Sequence, residues 1–338
     1  MALAVRPKQL AHQCVQVGTW ARDEDYPVFP VGSKPKRLLV CPHGVTEPFL
    51  IPGHKYLFKI AQGWQAYQTW SEVIAYEIGS ILGLNVPPAF IALDARTEEM
   101  GVLVEFFYGY PDDKTPPRFV HGADTLQRLY PGAGFNAKTG RPHVVRTNLA
   151  VCRTLRVGDA TKWWARTLAF DAIIGNTDRH PENWGFLISR PAIGEAAPAE
   201  AQPDATAAQA QEARFEMAPV FDNATSLGYE RTNASLAERW SQDRIGKYIA
   251  KGTHHCGWLP TQARGTQHIK LCLQLHGAYT GTSIEMKSMI RLTDSEIEQT
   301  LNWCAGFDVP SRLDPSRAEF VSDLLKARRD ALAVALGA

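Results

Sequence analysis

The chain has few of the features that settle a protein's class at once. Its six cysteines (Cys14, Cys41, Cys152, Cys256, Cys272 and Cys304) form no CxxC pair in 338 residues. That excludes a disulfide scaffold and a zinc-finger spacing. They read as reduced thiols of a cytoplasmic protein. An excess of one charge is also missing. Lysine plus arginine is 36 and aspartate plus glutamate is 35, so no broad basic field exists to hold nucleic acid, and no direct nucleic-acid binding is expected. No apolar run approaches the roughly 18 residues of a membrane span. Met1 to Arg6 lacks a basic stretch followed by an apolar core, so no secretory signal is expected. What remains is an ordinary globular balance, 45% hydrophobic and 21% charged, with length for two packed units or one two-lobed domain.

The first part of the chain, to about residue 110, reads β-β-α-β-β. Arg37 to Cys41 and Tyr56 to Ile60 are strand-type runs, and Pro52-Gly53-His54-Lys55 between them carries a turn signal. From Trp70 to Leu82, apolar residues at 70, 73, 74, 78, 81 and 82 follow a helical period. Gly83 and Pro87-Pro88 end that helix. Strands follow at Ala89 to Leu93 and Gly101 to Phe107. Beyond residue 110 the pattern turns helical. Asp159 to Ile174 reads as a long buried helix, with Trp163-Trp164 as core packing. A polar loop from Gly175 to Trp184 and a strand from Gly185 to Ile188 come next. The Ala/Pro/Glu/Gln-rich stretch 191–213 reads as a mobile insertion. A strand is expected over Met217 to Phe221, and Leu236 to Ala338 is mainly helical. Thr293-Asp294-Ser295-Glu296 has the form of a capping box.

The chemistry concentrates in Gly175-Asn176-Thr177-Asp178-Arg179-His180-Pro181-Glu182-Asn183-Trp184. An aspartate followed five residues later by an asparagine suits phosphoryl transfer. The carboxylate orients or receives the proton of the attacking hydroxyl, and the amide oxygen helps to hold Mg²⁺. A second carboxylate must share the metal, and Asp222 in Val220-Phe221-Asp222-Asn223 supplies it. Lys59 lies in the otherwise apolar strand Leu57-Phe58-Lys59-Ile60, and Glu72 sits thirteen residues on, in the following helix. A strand lysine paired with a helix glutamate orients the α- and β-phosphates of a nucleotide. Gly32-Ser33-Lys34-Pro35-Lys36 precedes a strand and is a candidate phosphate loop through its N–H groups and Lys36. Each piece has a plainer reading as well. Asp178 and Asn183 can cap a turn, Lys59 can snorkel to water, Glu72 can be a solvated helix residue, and Gly32 to Lys36 can be a plain turn.

Together these residues resemble a known family. Asp178-Arg179-His180-Pro181-Glu182-Asn183 is similar to the catalytic loop of protein kinases, with His180 where that loop carries lysine. It is similar also to the Asp-Arg-His-x-x-Asn loop of phosphatidylinositol kinases. The wider pattern resembles the HipA-like kinases of bacterial toxin–antitoxin systems. It runs from Gly32 to Lys36, through Tyr56-Leu57-Phe58-Lys59, Ser71-Glu72, Gly83-Leu84-Asn85-Val86-Pro87 and Val104-Glu105-Phe106, to the catalytic loop and Ala218-Pro219-Val220-Phe221-Asp222. It covers roughly residues 30 to 230. The resemblance implies an α+β, bilobal protein-kinase-like fold, with an N-lobe over 1–110 and a C-lobe over 111–338, and no extra N-terminal domain. It implies ATP and Mg²⁺ as cofactors. Lys59, Glu72, Asp178 and His180 would be catalytic. Gly32, Ser33, Lys36, Lys59 and Glu105 would bind the nucleotide, and Asn183 and Asp222 the metal.

Two of these residues have open roles. His180 either shapes the loop or approaches a phosphate. Glu105 lies either on the hinge, where backbone groups meet adenine, or at a strand edge as an ordinary charge. The implied reaction is phosphorylation of a Ser/Thr hydroxyl of a protein, translation-related proteins being one class, with a small helix-turn-helix antitoxin as a further partner and Ser33 as a site of self-phosphorylation. The competing readings are a lipid or small-molecule kinase or a nucleotidyl transferase on the same fold, and a non-catalytic pseudokinase. Asn223-Ala224 follows Asp222 where protein kinases have Phe-Gly, so their usual activation-loop switch is not implied. His254-His255-Cys256 invites a metal reading, but three adjacent ligands do not easily face one ion. The locally basic stretch from Lys247 to His255 reads as a solvated face or a substrate contact.

Overall fold

The computed structural model describes residues 3–23, 36–130, 135–136, 138–189, 213–262 and 265–338. Gly32, Ser33 and nearly all of the expected 191–213 insertion lie outside the described residues. The small part of the molecule is built on a six-stranded sheet. Its strands are β1 (Val15–Gln16), β2 (Ala21–Arg22), β3 (Lys36–Val40), β4 (Lys55–Ile60), β5 (Ala89–Asp94) and β6 (Glu99–Glu105), in the order β1-β5-β6-β4-β3-β2. Helix α1 (Gln68–Ile81) crosses between β4 and β5. The expected β-β-α-β-β is therefore present. The dipeptide strands β1 and β2 extend it at both edges, and two residues carry no periodicity to read.

Alternation along the strands splits the sheet into two faces. Tyr56, Phe58 and Ile60 join Phe90 and Leu103 in a core on one side. Val102, Val104, Ala89 and Ile91 face α1 on the other and merge with the core of the larger part. Lys59, between Phe58 and Ile60, consequently lies on the α1 face. Glycine is required at position 101, opposite Ile60, because a Cβ there would stand 2.4 Å from the Lys59 carbonyl oxygen.

The larger part begins with β7 (Arg118–His121), α2 (Gly122–Leu129), α3 (Val145–Thr154) and α4 (Ala160–Ile174). Strands β8 (Gly185–Ser189) and β9 (Arg214–Met217) pair with β7 in the order β7-β8-β9. The expected strand over Met217 to Phe221 is corrected here: the pairing ends at Met217. Ala218 still donates to Gly185 (2.9 Å), but Pro219 has no N–H, and Val220 turns its own N–H to Asn85 (2.7 Å). Proline cannot continue a ladder, so the chain leaves the sheet and delivers Asp222 irregularly. The rest is α5 (Asn233–Leu236), α6 (Gln242–Lys251), the β10–β11 pair (Thr253–His254, Thr266–Gln267), α7 (His268–Ala278), α8 (Thr282–Met289), α9 (Asp294–Ala305) and α10 (Pro315–Ala335). Thr293 and Glu296 form the expected reciprocal capping box on α9. Trp164 is fully buried on α4, and Trp163 packs edge-on against it at 5.1 Å.

Candidate active site

Helix α4 stops where the candidate catalytic loop, 175–184, starts. Gly175 caps it at φ 68° and donates its N–H to Asp171. This left-handed conformation suits glycine, and a Cβ at Gly175 would also stand 2.7 Å from the Arg328 guanidinium. The loop then closes on itself. Asp178 N–H donates to Asn176 Oδ1 (3.0 Å), and Asn183 Nδ2 donates to the Asp178 carbonyl (2.7 Å). The five-residue spacing is thus a closed ring that fixes Asp178 and Asn183 side by side.

Behind the loop stands a residue that the sequence reading quoted without giving it a role. Arg179 is fully buried. It donates to both Asp171 oxygens, Nε to Oδ2 at 3.0 Å and Nη2 to Oδ1 at 2.7 Å. It also donates to the Asn183 carbonyl at 3.2 Å, to Asn223 Oδ1 at 2.6 Å and to the Phe221 carbonyl. One guanidinium therefore ties α4, the 175–184 loop and the chain on both sides of Asp222. His254 Nδ1 accepts the Cys256 N–H (2.9 Å), which leaves Nε2–H to donate to Asp171 (3.0 Å). Burial disfavours the Asp171 charge, but Arg179 and His254 outweigh it and hold the carboxyl below its usual range. Neither Asp171 nor His254 could be linked to the loop from sequence. The only carboxylate of α4, set in the apolar run from Leu168 to Ile174, was the only signal.

On the open side, Lys59 Nζ donates to Glu72 Oε2 (3.1 Å) and to Asp222 Oδ1 (2.9 Å). Glu72 Oε1 accepts the Asn223 N–H (3.1 Å). Helix α1 is thereby coupled to the segment that carries Asp222, and Ser71 adds a bond to the Ser226 carbonyl (3.0 Å). Burial works against the Lys59 ammonium, but Asp222 and Glu72 raise its pKa on balance. Asp222 is held at φ 57°, a conformation that aspartate and asparagine tolerate better than most residues. Lys36 lies directly across the strands from Lys59, and burial lowers its pKa.

Two cavities meet at these residues, each of about 310 Å³, and both are lined by Lys36, Lys59, His180 and Asp222. That is at the lower end of volumes typical for ligand sites. One is lined by Leu57, Val104, Phe107 and Phe221, together with Asn183. Phe107 stacks on Phe221 at 5.3 Å, and Phe119 meets both edge-on. The other is polar, lined by Asp178, Gln68, Thr69, Thr177, Thr225 and Tyr229. The sequence reading missed both the aromatic wall and the polar chamber, because their residues are scattered over the chain.

His180 Nδ1 accepts the Glu182 N–H (3.3 Å), and its Nε2 lies 4.0 Å from Asp178 Oδ2. It both braces the loop and borders both cavities. Glu105 ends β6 with its carboxylate turned away from solvent. Arg6 donates to it twice (2.8 and 2.9 Å), and the Tyr110 hydroxyl donates at 2.7 Å. Its N–H is committed to Pro88. His143 and His255 lie behind the loop, their Nδ1 atoms 3.3 Å apart.

No protein-family model matches the chain, and no curated protein sequence matches it. Solved structures do. The Helicobacter pylori proinflammatory kinase CtkA is similar at 15% identity, over 96% of this chain and 97% of that one, with a TM-score of 0.65. HipA, in the Shewanella oneidensis MR-1 toxin–antitoxin complex with HipB and operator DNA, is 15% identical over 92% of this chain and 65% of that one, with a TM-score of 0.46. The likeness to CtkA shows that the chain has an α+β, bilobal kinase fold along nearly its whole length.

Proposed function

We propose that the protein is an ATP-dependent phosphotransferase that moves the γ-phosphoryl group to a Ser/Thr hydroxyl of a protein. One observation carries this reading. Lys59, Glu72, Asp178, Asn183 and Asp222, 163 residues apart at the extremes of one ion pair, converge where an aromatic cavity meets a polar one. We take residues 1–110 as the lobe that covers the nucleotide and 111–338 as the lobe that carries the catalytic loop. The donor set fits Mg²⁺, which takes hard oxygen ligands. Asn183 spends its Nδ2 on the Asp178 carbonyl and lines the aromatic cavity, and the Asp222 side chain is 30% exposed. When bound, the metal would neutralise charge on the phosphate oxygens.

The chain's own groups do the rest. Lys59, oriented by Glu72, holds the α- and β-phosphates, and Lys36 adds charge beside it. The adenine lies against the aromatic wall. Asp178 orients the acceptor hydroxyl in the polar chamber and takes its proton. The oxygen–phosphorus bond forms as the bond to ADP breaks. Positioning and charge stabilisation supply the rate. Gly32 and Ser33 are proposed to complete the phosphate loop, with Ser33 as a self-modified residue, and a small helix-turn-helix antitoxin is the proposed regulatory partner.

The experiment is transfer from γ-labelled ATP with protein, lipid and no added acceptor. Asp178→Asn should bind nucleotide and transfer nothing. Label on lipid alone would replace the protein-kinase reading, and near-normal turnover in Asp178→Asn would overturn the catalytic assignment.

A further inference from the structure

The segment before β1 is fastened at four points of the fold. Leu3 N–H donates to Asn85 Oδ1 (3.0 Å). Gln9 pairs through its amide with both backbone groups of Ile91, at 2.8 and 2.9 Å. Lys8 pairs with Glu77 of α1 (3.0 Å) and lies over the Trp303 ring of α9 at 4.3 Å. The Trp303 indole N–H donates to the Gln9 carbonyl (2.7 Å). At the centre of this strap Arg6 reaches Glu105, where the chain leaves the sheet along the nucleotide cavity.

The Glu105 carboxylate has 0% exposure. A buried charge is stable only when paired and hydrogen-bonded, and Arg6 provides the planar two-point match. The contacts then close into a ring. Tyr110 bonds Glu105 and stacks on His54 at 4.3 Å and 4°. His54 Nε2 lies 2.6 Å from the Phe106 carbonyl, and the Phe106 N–H donates to Lys55. The backbone of 105 and 106 is therefore set from behind the cavity, and Phe107 follows directly onto the aromatic wall.

We propose that Arg6 is a positioning residue for the nucleotide cavity: through Glu105 it fixes the connector that carries Phe106 and Phe107. This inference rests on the phosphotransferase reading. Arg6 lines neither cavity. Its loss strands the Glu105 charge beside the cavity and releases the connector, so nucleotide affinity falls while the Lys59, Asp178, Asn183 and Asp222 geometry stays in place.

The test titrates Mg²⁺-ADP by calorimetry and measures turnover at saturating ATP, for the full chain and Arg6→Ala. The expected result is binding weakened roughly tenfold, an effect of the size that misplacement produces, with kcat preserved and affinity recovered on adding methylguanidinium. Arg6→Lys, which keeps the charge but not the fork, should fall between the two, and it carries the test if Arg6→Ala does not fold. Wild-type affinity in Arg6→Ala, or a loss of kcat at unchanged affinity, overturns the inference. Absence of Mg²⁺-ADP binding to the wild-type chain overturns the phosphotransferase reading itself, and this inference with it.

Discussion

Two ion-pair clusters stand on either side of the 175–184 loop, and they are built differently. Behind it, Arg179 and Asp171 are both fully buried, and each donor of Arg179 points at an acceptor in α4, the loop or the Asp222 segment. In front of it, one ammonium, Lys59, faces two carboxylates, and Asp222 remains 30% exposed beside a cavity. The rear cluster is saturated, so it can only hold. The front cluster borders two cavities, with Lys36 across the strands from Lys59 and the Asp222 side chain partly exposed, so a ligand can still reach it. Access from a cavity, rather than the presence of an ion pair, separates the two clusters.

The largest effect that sharpens this contrast belongs to the rear. Asp171→Asn preserves shape but leaves Arg179 as a buried, uncompensated cation, which should cost about 3–5 kcal/mol of stability. Chemical denaturation measures it, and a loss under about 1 kcal/mol would put the two clusters on the same footing. In the front, Asp222→Asn removes the partly exposed carboxylate and leaves the Lys59–Glu72 pair intact. Asparagine also tolerates φ 57°, so unfolding should change by less than about 1 kcal/mol while turnover falls by two or more orders of magnitude. A stopped assay with a normal melting curve is the expected pair of results.

Acid titration adds a smaller test. Burial first, then nearby positive charge, holds His255 and His268 down at about 3, and His143 lies well below its ordinary value. Unfolded histidine binds a proton near pH 6.5, so the unfolded chain takes up protons that the folded one refuses. Stability should therefore be full above pH 6.5 and decline as pH falls from there toward 3. The depressed Asp171 carboxyl adds a further loss below about pH 4, its unfolded value. His268→Asn should flatten the first limb by up to one proton's worth of slope, read from denaturation midpoints at a series of pH values. The smallest expected effect lies far from both clusters. Thr293→Ala removes the α9 capping box for about 1 kcal/mol and should leave nucleotide binding unchanged.

The front cluster was legible in the sequence and the rear was not, for a physical reason. Asp178 and Asn183 announce themselves because their spacing is local and the loop closes through its own hydrogen bonds. Lys59 and Glu72 stand out as charges in an apolar strand and in the helix after it, and Asp222 follows a short apolar run. Arg179 sits in the same motif, but its partners are Asp171 eight residues back and Asn223 forty-four ahead, and His254 joins from beyond both. Long-range pairings leave no periodic trace. The same holds for Arg6 and Glu105, ninety-nine residues apart. The strands and α1 were readable from alternation and helical period, whereas β1 and β2 were too short to show either. The strand expected over Met217 to Phe221 fails at Pro219, whose missing N–H already argued against it.

The most direct test of the contrast is a pair of thermal unfolding curves, for Asp222→Asn and Asp171→Asn, each without ligand and with Mg²⁺-ADP. The account predicts that Asp222→Asn melts with the wild-type chain when unliganded and loses the Mg²⁺-dependent upward shift, while Asp171→Asn melts far lower from the start. Equal unliganded losses in the two variants, or a full Mg²⁺-dependent shift in Asp222→Asn, would contradict it.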